Sequence, residues 1–92
     1  MIKTFFTTQT HQLYNMMLAK MSIQEKRSLD AVLMLTLYEV LAEGLPTAKR
    51  TEALVFLEKN DANIAEWLSQ VAPHVSLAIK ERLFRTVLSL ST

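Results

Sequence analysis

The sequence contains no cysteine, one glycine and two prolines. The missing thiols exclude a disulfide scaffold, thiol catalysis and thiolate metal sites. They fit a reducing compartment, and the expected location is the cytoplasm. So few turn-formers argue against an all-β fold, which needs a turn every few residues. A lone Gly44 leaves no glycine-rich loop to cradle a phosphate. Charge of one sign is also missing. Ten Lys/Arg stand against nine Asp/Glu, a formal net charge of +1, so the balance gives no pull toward nucleic acid or anionic lipid. The opening MIKTFFTTQTHQ turns polar too early for a signal peptide. The apolar stretch AVLMLTLYEVLA, residues 31–42, is shorter than the about 20 residues that span a bilayer.

What the chain has is helix-forming residues. Leu, Ala, Glu, Lys and Met dominate, and the expectation is a single all-α domain over residues 1–92, a compact bundle of about five helices around a central apolar helix. The first helix runs from about Thr8 to Lys20, with Leu13, Met17 and Met21 on one side and Tyr14, Leu18 and Met16 beside them. Phe5 and Phe6 are placed to fold back onto the core. The methionines read as packing. Ser22–Glu25 (SIQE) is a capping box and opens a long helix over about 23–43. Gly44 follows where a left-handed C-cap is wanted, with Pro46 beyond it. Thr47 is the next N-cap candidate, for a helix over about 48–59 with Ala53, Leu54, Phe56 and Leu57 inward. Asn60 or Asp61 ends that helix and caps the next, about 62–71, where Ile64, Trp67, Leu68 and Val71 share one face. Pro73 fits the first turn of a last helix, about 73–90.

Two of these helices carry more apolar surface than a surface helix needs. On a wheel of the 23–43 helix, Glu25, Ser28, Thr36, Glu39 and Glu43 fall in one narrow polar stripe, shared only by Val32. Apart from the first turn and Asp30, the remaining about 280° is apolar, where an arc a little over 100° would suffice. The 73–90 helix repeats this more mildly. Three arrangements answer the excess. One is a five-helix monomer with the 23–43 helix at its centre. The others are an isologous homodimer and a groove for a partner helix. The expected interface residues are Met34, Leu35, Tyr38 and Leu41 on the first of these helices and Leu77, Phe84 and Leu88 on the second.

No constellation for catalysis stands out, and the chain reads as non-enzymatic, with no cofactor. His11 and His74 lie on different helices, outside any metal-ligand spacing. Glu39 sits in the apolar run, but it shares the polar stripe and reads as solvated. No second carboxylate is placed for acid–base work. The serines and threonines lack a G-x-S-x-G context. Lys26–Arg27 and Lys49–Arg50 each open a helix, but Glu52 and Glu58 accompany the second pair, against a recognition helix for nucleic acid. Trp67, between Ile64 and Val71, reads as core rather than as a partner's anchor.

The order RSL, LYEVL, FLEKND, EWL and VAP, within residues 23–85, resembles a family of small uncharacterised helical proteins from candidate-phyla bacteria. VAP stands where that family has VP, and GLP where a Ser-led cap is common. The resemblance implies a small helical interaction protein and no activity. The functional expectation is therefore a protein–protein interaction module, self-associating through the apolar faces of the 23–43 and/or 73–90 helices. The alternative is an accessory or regulatory subunit on a larger enzyme or nucleoprotein complex.

Overall fold

A computed structural model describes residues 1–91 and leaves Thr92 outside the described residues. A 3-10 turn over Ile2–Phe5 leads into five helices: α1 (Thr8–Leu18), α2 (Ile23–Gly44), α3 (Thr47–Glu58), α4 (Ile64–Val71) and α5 (Pro73–Ser91). There is no strand among the described residues. The bundle is all-α, as expected, and α5 is the helix most of the others share. It packs against α2, α1, α4 and the 3-10 turn. Its column Val75, Ile79, Leu83 and Val87 is fully buried because residues four apart stack on one helix face. Phe5, Leu33, Leu37, Ile64 and Leu68 close around that column. Phe5 and Phe6 do fold back into the core.

Helix ends follow local chemistry. The Thr7 hydroxyl accepts from the Thr10 amide at 3.2 Å and caps α1. In the Ser22–Glu25 box, the Glu25 amide donates to Ser22 Oγ at 3.2 Å and the Ser22 amide to Glu25 Oε1 at 3.3 Å. At the end of α3, Asn60 takes a left-handed φ of 51°. The Asp61 amide reaches Phe56 O at 2.9 Å and the Asn60 amide Leu57 O at 3.1 Å. This is the Schellman pattern, and it uses the residue type that best tolerates that conformation after glycine. Asp61 Oδ1 then accepts from the Asn63 amide and turns the chain into α4.

Three expected caps fall elsewhere. The N-cap of α4 is Asn63, with no side-chain cap bond, and not Asn60 or Asp61. Gly44 is not a left-handed cap. It is the last helical residue of α2, no glycine here has positive φ, and extended Leu45 ends the helix. Thr47 is likewise inside α3, because Pro46 is already extended and its carbonyl accepts from the Arg50 amide at 3.0 Å. What Gly44 supplies is room. A Cβ there would lie 2.8 Å from Cγ2 of Val75, and Val75 is a stiff, buried side chain at the head of α5.

The overall dimensions are 40 × 22 × 20 Å. One helix with its side chains is about 10–12 Å across, so the cross-section is two helices by two. No helix in such a bundle is covered all round.

Gly44→Ala sets two effects against each other. Alanine gains about 0.5–1 kcal/mol of helix preference. Overpacking against Val75 costs about 1–3 kcal/mol. Packing wins, and urea denaturation is expected to show a net loss of about 1 kcal/mol. An unchanged or raised midpoint would contradict the close approach.

Candidate interaction surface

The buried arc of α2 holds Leu29, Leu33, Thr36, Leu37, Val40 and Leu41, about 140° of the wheel. This is half the apolar circumference of the helix. Thr36, expected in the water-facing stripe, is buried, and its hydroxyl donates back to the Val32 carbonyl at 2.9 Å. That bond satisfies the polar group within the helix itself. Of its uncovered apolar residues, Leu35 and Tyr38 stand on the flank turned away from α5, Val32 borders α5 and Ile23 lies in the first turn. Leu35 is 60% exposed and Tyr38 42%, with exposed Ala31 and Ala42 on the same line.

Between this flank and α3 lies a groove of about 220 Å³ lined by Tyr38, Leu41, Ala42, Arg50, Ala53 and Leu54. Ala53 is the only fully buried side chain of α3, so this helix lies lightly on the bundle and leaves Leu54 47% exposed at the groove's rim. Leu41, at 4% exposure, is core and forms the groove's floor. Met34 is half-buried against the core. Of the four candidates on α2, Leu35 and Tyr38 therefore present real outer surface.

On α5, Leu77 is 66% and Leu88 41% exposed, with Phe84 half-buried between them. Their wheel position faces away from α2. The two apolar strips thus point in different directions and form separate surfaces. Lys80 and Glu81 flank the α5 strip, as Glu39 flanks the line Ala31–Leu35–Tyr38–Ala42.

The polar candidates are placed as follows. Glu39 is solvated and pairs with Arg82 of α5 at 3.4 Å. It joins two helices of this chain. Surface pairs of this kind contribute little stability. Lys49 pairs with Glu52 at 3.2 Å, and Arg85 with Glu81. His74 is exposed, and His11 packs edge-on against Phe6 with ring centroids 5.1 Å apart. Among the described residues no group of His, Asp and Glu is gathered to hold a metal, and no helix is long and apolar enough to cross a membrane. Trp67 is half-buried and stacks on Phe56 at 5.3 Å, tying α4 to α3. Val71, expected on the same inward face, is 42% exposed at the end of α4.

One further polar pair joins two helices. Tyr14 Oη donates to Asp30 Oδ1 at 2.7 Å, linking α1 to α2, and the Lys3 ammonium lies 5.3 Å from the same ring's centroid. Burial, then the hydrogen bond to Asp30 and its negative charge, push the Tyr14 phenol up to about 12. The available signal was Asp30 itself, a lone carboxylate in the apolar arc of the α2 wheel. The pair is fully accounted for as a latch between helices.

Comparison with protein-family models, with curated proteins and with solved structures finds no match to this chain.

The Tyr14 shift has a defined sign. The native state keeps a proton that the unfolded chain releases near pH 10, so the stability it contributes is complete below pH 10 and is lost as pH rises through about 12. Tyr14→Phe is expected to be about 1 kcal/mol less stable than wild type at neutral pH. That gap should narrow above pH 10. A gap constant to pH 12 in denaturant titrations would refute the assignment.

Proposed function

We propose that this chain is a non-enzymatic protein–protein interaction module that self-associates through the outer flank of α2. The observation that carries the reading is the pair Leu35 and Tyr38. These are two large apolar side chains about half exposed on a helix whose inward side is already filled. The groove beside them, bounded by Leu54, adds a concave apolar edge. The α5 strip, with Leu77 and Leu88 exposed beside half-buried Phe84, is the second candidate.

Magnitude sets the strength of the association. Leu35, Tyr38 and Leu54 together offer on the order of 300 Å² per copy, against roughly 800 Å² per partner in a standard stable interface. The flank is the centre of an interface rather than a whole one. The expected dimer is weak and concentration-dependent, forming at about 10–100 µM.

Leu35→Lys places an ammonium at the centre of the flank while leaving the core intact. Light scattering at about 100 µM should show wild type above monomer mass and this variant at monomer mass. The thermal midpoints should stay together, because surface substitutions usually shift stability by less than about 0.5 kcal/mol. Leu77→Lys should leave association unchanged. A wild type that stays monomeric at that concentration, or a Leu35→Lys variant that still dimerises, would rule the reading out.

A further inference from the structure

We draw no further inference here: the strongest candidate, the apolar flank of α2 with the groove of about 220 Å³ between it and α3, belongs to the surface already described, and nothing in the structure shows what covers it.

Discussion

Val75, Ile79, Leu83 and Val87 form a single column on α5, and the other helices come together on it. The column begins one residue-width from α2, where Gly44 lets Val75 approach closer than any side chain at that position would allow. This contact sets where the head of α5 lies against the tail of α2, and hence which side of α2 is turned inward. Leu33, Leu37, Val40 and Leu41 fill that side. Once they are committed to the core, Leu35 and Tyr38 on the far flank stay about half exposed.

The uncovered flank is a consequence of size as much as of sequence. A bundle 22 × 20 Å in section has room for two helices in each direction. A helix in it buries about half of its circumference at most. The apolar arc of α2 is about 280°, so a remainder of exposed apolar surface is unavoidable in a chain of this length. A light third helix does not change this. α3 buries only Ala53 completely and adds a rim to the flank instead of a cover. Structure and proposed function thus share one cause, a helix with more apolar surface than its own domain can hide.

Much of this was legible in the residues. The capping box at Ser22 and Glu25, the start of α5 at Pro73 and the turn at Asn60–Asp61 are local chemistry, and each lies where the pattern puts it. The excess of apolar surface on α2 was also legible, because it needs only the wheel. What the sequence could not show were the facts that depend on neighbours. Gly44 resembles a C-cap until Val75 is seen beside it. Thr36 is polar by name but bonds its own helix and is buried. Leu41 and Leu35 are both leucines in the same apolar run, yet one is core and the other surface. Tyr14 and Asp30 are sixteen residues apart and meet only through the packing of α1 on α2. The shared element proved to be α5 because its column is reached from several helices at once, which no single-helix pattern reveals.

In the proposed association α2 has two working faces, one for the core and one for a second copy. Side-chain methyl NMR spectra recorded over a dilution series test it most directly, because they report each residue separately. Resonances of Ala31, Leu35 and Ala42 are expected to shift with protein concentration while those of Leu33 and Val40 stay fixed. Spectra independent of concentration, or shifts centred on Leu77 and Leu88, would contradict it.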